Sequence, residues 1–402
     1  MTETPLVLHE LSFVAEGDEV VVGRTDTGSY AVFPADGAAL LRRIGEGVPP
    51  GQAAEWYEAT FEQPVDVEDF VASLQELGFV RDDGEVSAPA RAAVRFQRLG
   101  RVLLSPVAWF FYACVVAWWL SAVARHSDLA PAPNQIFFTH SLIAVQLVIT
   151  AGQVPLLLLH ECFHGLAGRR LGLPTRLRLS NRLAYIVAET QINGLFSVPR
   201  RRRYLAFLAG MGCDCVLVAA LGLIADLDRA ANGGLSPAGR VCLALGFTVV
   251  VRLAWQFQLY LRTDLFYVVG TALNCYDLHD ASKALLKNRI WRLLRRPGRL
   301  VDERQWTERD RAVGRFYGPF LVLGVTAFIT VTALVTVPVS VHYFVTAVRG
   351  LASGRLDRYF WDCALSLGFN AAQIAALFLL SRSKRRAWSR RAPHLLAEQE
   401  AN

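Results

Sequence analysis

Six segments of the chain, at 102–124, 136–159, 204–225, 241–261, 316–348 and 359–380, are apolar and nearly free of charge. Each is near or above the roughly 20 residues that an α-helix needs to cross a bilayer. They predict a polytopic α-helical membrane protein of about six transmembrane helices. The fifth segment is long and contains Pro338, so part of it is expected to bend into the interface. A hydrophobic fraction of 53% and a mean hydropathy of +0.30 are too apolar for an ordinary soluble protein of 402 residues.

Charge divides the chain. Residues 1–90 hold four Lys/Arg against eighteen Asp/Glu, a net −14, so with +7 for the whole chain residues 91–402 carry +21. Residues 1–90 therefore read as a soluble domain and 91–402 as a membrane domain. The segments 165–203, 262–315 and 381–402 contain nine, twelve and six Lys/Arg, whereas 125–135, 226–238 and 349–356 contain one, one and two. The positive-inside rule then places both termini in the cytoplasm, and the absence of a basic-then-apolar N-terminal run predicts no cleaved signal. The basic residues read as membrane topology and not as a nucleic-acid surface. The seven cysteines lie in or beside apolar segments as small hydrophobes, and no disulfide is expected. Cys213 and Cys215 alone do not complete a tetrahedral metal site.

The second apolar segment runs directly into His160-Glu161-Cys162-Phe163-His164. On a helix, positions i and i+4 share a face, so both imidazoles can bind one metal while Glu161 serves as general base toward water. Ionisable groups at membrane depth are costly and mark function. A catalytic zinc needs a third protein ligand at the same depth. The fourth segment descends to Asp264 on the side where the second one ends, which makes Asp264 the favoured ligand; Asp277, His279 and Asp280 are its rivals. Asp214, inside the third segment, either orients a site group or caps a helix contact.

Between this motif and the third segment, residues 183–198 combine β-prone runs with Asn193-Gly194, a hairpin turn signal. A strand there offers an edge on which an extended peptide can pair, which matters because a peptide bond inside a helix is shielded. Arg200, Arg201, Arg202 and Arg203 suit phosphate headgroups. In the acidic domain, short runs at 11–15, 20–23 and 30–33 predict an antiparallel meander. Three helices should follow, carrying Ala38, Leu40, Leu41 and Ile44, then 52–61, then Phe70, Leu74 and Leu77. A groove between the 29–33 strand and the third helix, with Tyr30, Val32, Phe70 and Leu74 as contacts, is the expected peptide site.

The HECFH run at the end of an apolar segment, the small residues of Ala209-Gly210-Met211 in the next, and Asp264 one hundred residues after His164 resemble the intramembrane site-2 protease family over about 130–290. The resemblance implies zinc held by His160, His164 and Asp264, with Glu161 activating water at the cytoplasmic face. Leu265 follows Asp264 where the family usually has glycine. Residues 7–82 separately resemble PqqD-like domains, small winged-helix-like α+β units that bind leader sequences of ribosomally made, modified peptides. Together these likenesses imply a zinc metalloendopeptidase that matures a precursor peptide. Cleavage of a membrane-bound signalling protein, or peptide capture for export without turnover, are the alternatives, and Glu161 argues against the last.

Overall fold

The computed structural model describes residues 4–24, 26–81, 94–182, 185–331, 333, 337–352, 356–376 and 378–379. The chain begins with three antiparallel strands, β1 (Leu11–Glu16), β2 (Glu19–Arg24) and β3 (Ser29–Pro34), in that order across the sheet. Pairing of Val20 with Phe33 and of Val22 with Ala31 puts these four side chains on one face; Val21, Val32, Gly23 and Tyr30 take the other. The first face is closed by α1 (Ala35–Gly45) and α3 (Val67–Glu76), while α2 (Pro50–Phe61) packs on α1 through Ala53 and Tyr57 against Leu40 and Ile44. Leu41, Leu74 and Phe79 are fully buried against that face. The Asp66 carboxylate starts α3 by accepting from the backbone N–H groups of Glu68 and Asp69. Tyr57 donates to Asp36 at 2.6 Å, and this bond holds the Asp36 carboxyl below its usual range.

Beyond this domain come α4 (Gln97–Leu103), α5 (Pro106–Arg125), α6 (Leu142–Arg170), the hairpin β4 (Thr175–Arg182) and β5 (Tyr185–Ile192), and α7 (Arg200–Asn232). They are followed by α8 (Pro237–Trp255), α9 (Asp264–Ala272), α10 (Leu278–Leu293), α11 (Glu308–Val331), α12 (Val337–Ala352) and a helix over 358–376. Five of them, α5, α6, α7, α8 and α11, are long and apolar enough to cross a membrane, with mean hydropathies between 1.5 and 2.1. This is the makeup of a polytopic membrane protein. The fifth apolar segment contributes to α11 and α12, and the expected bend at Pro338 borders residues outside the described ones. The fourth segment ends early, at Trp255.

Two compact units result, one of Met1–Trp109, Glu161–Leu177 and Thr190–Gly210, the other of Phe110–His160, Arg178–Glu189 and Met211–Asn402. In the first, the outer face of the N-terminal sheet rests on the chain that leads into α7. The Tyr30 ring lies 5.8 Å from Phe196. Arg203, 2% exposed, pairs with Glu16 at 2.5 Å and donates to the carbonyls of Val198 and Phe196. Nearby, α4 crosses α6 closely because Gly100 has no side chain; a Cβ there would sit 2.5 Å from the Leu166 carbonyl oxygen.

In the second unit α6, α7 and α8 meet at Leu156, Val218 and Val249. Gly152 admits Leu245 to the same contact, as small residues do between membrane helices. Asp362 accepts from the backbone N–H groups of Leu142 and Ile143 and so caps α6. Phe266, Leu278 and Tyr317 join α9, α10 and α11.

Breaking a buried ion pair from one side typically costs about 3–5 kcal/mol, because the other charge stays desolvated. We expect Glu16→Ala to loosen the N-terminal unit by a loss of that order, read as faster amide exchange in β1 and in the first turns of α7. Adding Arg203→Met should restore much of the protection; equal protection in wild type and Glu16→Ala would show that the pair contributes nothing.

Candidate metal centre

The 29 residues of α6 extend about 43 Å, so the helix passes well beyond the hydrocarbon thickness and carries His160, Glu161 and His164 in its second half. His160 and His164 are four residues apart on this one helix. All three residues are buried, at 3, 8 and 6% exposure. Each imidazole is fixed through its Nδ1. His160 Nδ1–H donates to Asp214 Oδ2 at 2.9 Å, and His164 Nδ1–H donates to the Ala206 carbonyl at 2.7 Å. Both bonds place the proton on Nδ1 and leave Nε2 as the lone-pair donor, the arrangement that metal-binding histidines adopt.

The third residue comes from a break in the apolar sequence. After α8 the Thr263 hydroxyl donates to the Gln256 carbonyl at 2.6 Å, and the Asp264 backbone N–H donates to Gln256 Oε1 at 3.0 Å. Arg262 takes a left-handed conformation with φ +54. This closed loop ends in Asp264, the first residue of α9, whose Oδ2 stands 3.3 Å from His160 Nε2. Two ligands about 2.0–2.1 Å from one tetrahedral ion are about 3.3–3.4 Å apart, so the spacing suits a shared zinc. His160, His164 and Asp264 each offer a ligand atom within 4.8 Å of the others, and no other such group of three occurs among the described residues searched.

The rival ligands stand elsewhere. Asp280 pairs with Arg262, and the Asp277 backbone N–H donates to Asp310. His279 lies against the Phe266 ring at 5.9 Å; burial, with Lys283 and Arg262 adding to it, brings its pKa down to about 4.

Behind His160 lies a polar chain of which sequence reading saw only Asp214. That carboxylate is fully buried and is gripped by two nitrogens of Arg252, Nε at 2.9 Å and Nη2. Arg252 also donates to Gln153 Oε1 at 3.3 Å, and Gln153 donates to Thr248. One signal was available: Asp214 and Arg252 are lone charges in consecutive apolar segments, and charges at that depth pair.

The expected peptide contacts are less uniform. β4 and β5 form the hairpin, but Asn193 and Gly194 follow it instead of turning it. Gly194, at φ +83, leads into a 3-10 turn at Leu195–Ser197, and Pro199 ends the apolar run before a strand can form. Phe70 packs edge-on to Phe33 at 6.1 Å and Leu74 is fully buried, so Leu74 belongs to the core and not to a groove wall. Tyr30 and Val32 lie on the face that meets Phe196, away from α3. The backbone of β3 still forms the sheet edge, with no further strand beside it among the described residues.

No protein-family model, curated protein or solved structure matches the chain.

Replacing an anionic oxygen ligand by a neutral amide weakens zinc binding. We expect Asp264→Asn to lose most of the zinc by metal analysis, Asp277→Asn to keep it, and Asp214→Asn to weaken it about 10–100-fold, the usual effect of losing a ligand's hydrogen-bond partner. The opposite ranking of the Asp264 and Asp277 variants would move the third ligand.

Proposed function

We propose that this chain is a membrane-embedded zinc metalloendopeptidase that hydrolyses a peptide bond of a precursor peptide at the cytoplasmic face. The observation that carries the reading is the convergence of His160, His164 and Asp264, with both Nδ1 atoms already engaged and a buried carboxylate, Glu161, next in the chain to one ligand. When bound, zinc supplies a Lewis acid that polarises the scissile carbonyl and acidifies water. Glu161 then takes a proton from the attacking water and passes it to the departing nitrogen. A holder of metal or peptide has no use for such a base. The end of α6 leads into the basic segment 165–203, and Asp264 at the start of α9 lies in the basic segment 262–315, which argues for the cytoplasmic side.

Substrate has to be extended before attack. The hairpin supports that step by its closeness to the metal helix. The Thr190 hydroxyl, on β5, donates to the Glu161 carbonyl at 2.8 Å. Gly168 lets Thr175 and Ile192 approach; a Cβ there would lie 2.6 Å from Thr175 Cγ2. A peptide added to the hairpin edge would be held as a strand beside the motif. The open edge of β3 supports leader capture by the N-terminal domain, which favours peptide maturation over cleavage of a signalling protein.

Glu161→Gln should keep zinc at wild-type stoichiometry and lower cleavage by at least about 100-fold, the scale of general-base catalysis. Cleavage at the wild-type rate by the purified variant would remove Glu161 from the reaction. For leader capture we expect excess free leader to slow cleavage of the full precursor, to be sought as a short reading frame beside the gene, while sparing a short peptide that spans only the cut site. Unchanged cleavage of the full precursor would rule capture out.

A further inference from the structure

We infer that α10 is an interfacial anchor that binds the anionic phospholipid headgroups of the leaflet it faces. This goes beyond the protease reading and does not depend on it. One side of α10 is packed: Ala281, Ala284 and Asn288 are buried, and Gly314 of α11 lies against Ser282 and Leu285. A helix packed on one side normally turns a polar surface outward. Here the outward side carries Ile290, Leu293 and Leu294, spaced i, i+3, i+4 and 46, 84 and 56% exposed. Water is a poor neighbour for that stripe.

Charge selects the occupant. From Lys283 to Val301 the sequence holds seven Lys/Arg and no Asp or Glu. Lys283, Lys287, Arg289 and Arg296 are exposed, and Trp291, whose ring stacks on Arg299 at 5.0 Å, is a residue type enriched at membrane interfaces. A basic helix with an outward apolar stripe lies in the headgroup region, apolar side down, and is drawn there by anionic lipid. A partner protein for the same stripe would need an acidic rim, whereas the bilayer is already at hand: α10 packs on α11, a helix long and apolar enough to cross it. The placement bears on the metal centre. Arg262, two residues before Asp264, pairs with Asp280 at the start of α10, and Phe266 of α9 packs on Leu278 and His279. Seating α10 on the headgroups thus fixes the depth at which Asp264 is presented.

The test uses the full chain, with a photo-crosslinking benzophenone side chain introduced at Leu293. It is reconstituted in nanodiscs of phosphatidylcholine alone or of an equal mixture with phosphatidylglycerol. We expect lipid adducts by mass spectrometry, strongly enriched in phosphatidylglycerol over its share of the mixture. Lys283→Gln/Lys287→Gln/Arg289→Gln/Arg296→Gln should cut that enrichment by about tenfold or more, since each basic residue near an anionic surface contributes several-fold. These four side chains are exposed, so the variant is expected to fold, and an unchanged far-UV circular dichroism spectrum and thermal unfolding midpoint in detergent would verify it. Adducts in proportion to lipid composition, adducts to a second copy of the chain, or no lipid adduct would each overturn the proposal.

Discussion

The organising interaction of the membrane domain is the buried carboxylate of Asp214, placed between the imidazole of His160 and the guanidinium of Arg252. An isolated carboxylate in an apolar bundle is strongly disfavoured, and so is an isolated guanidinium. Together they make a neutral pair whose remaining hydrogen-bonding capacity is used by His160 and Gln153. Because Asp214 belongs to α7, Arg252 to α8, and His160 and Gln153 to α6, the chain allows one relative depth of these three helices. Sliding any of them by a turn would strand a charge among leucines. Apolar packing at Leu156, Val218 and Val249 tolerates such slips far better, so the polar chain sets the register and the apolar contacts fill it.

That division explains how much was legible in advance. The strands and helices of the N-terminal domain follow from alternation and from the spacing of Ala38, Leu41 and Leu74, and the membrane helices follow from length and apolarity. His160, Glu161 and His164 were legible because their relation is local, within five consecutive residues on one helix. Asp264 was reached by matching depths along the chain. What was missed depends on where chains break or which face packs. α8 stops at Trp255, and the following loop is closed by the Gln256 side chain, a tertiary event that hydropathy does not report. Asn193-Gly194 has the composition of a hairpin turn, but Pro199 ends the second run too soon. Tyr30 and Val32 look like groove residues until the outer face of their sheet is seen against Phe196.

The break after α8 is also what lets Asp264 reach His160. Two histidines one turn apart on α6 would occupy neighbouring positions around a shared ion, so a third ligand would have to approach from a different direction. Had α8 continued straight, side chains near 264 would have moved on along its axis, at 1.5 Å per residue, out of reach of His160. The loop from Gln256 to Thr263 instead turns the chain through the left-handed Arg262 and restarts a helix at Asp264. Gln256 satisfies the Asp264 backbone N–H, one of the donors that a helix start leaves unpaired. The aspartate is thus held by its backbone, and its carboxylate oxygen Oδ2 faces His160 Nε2.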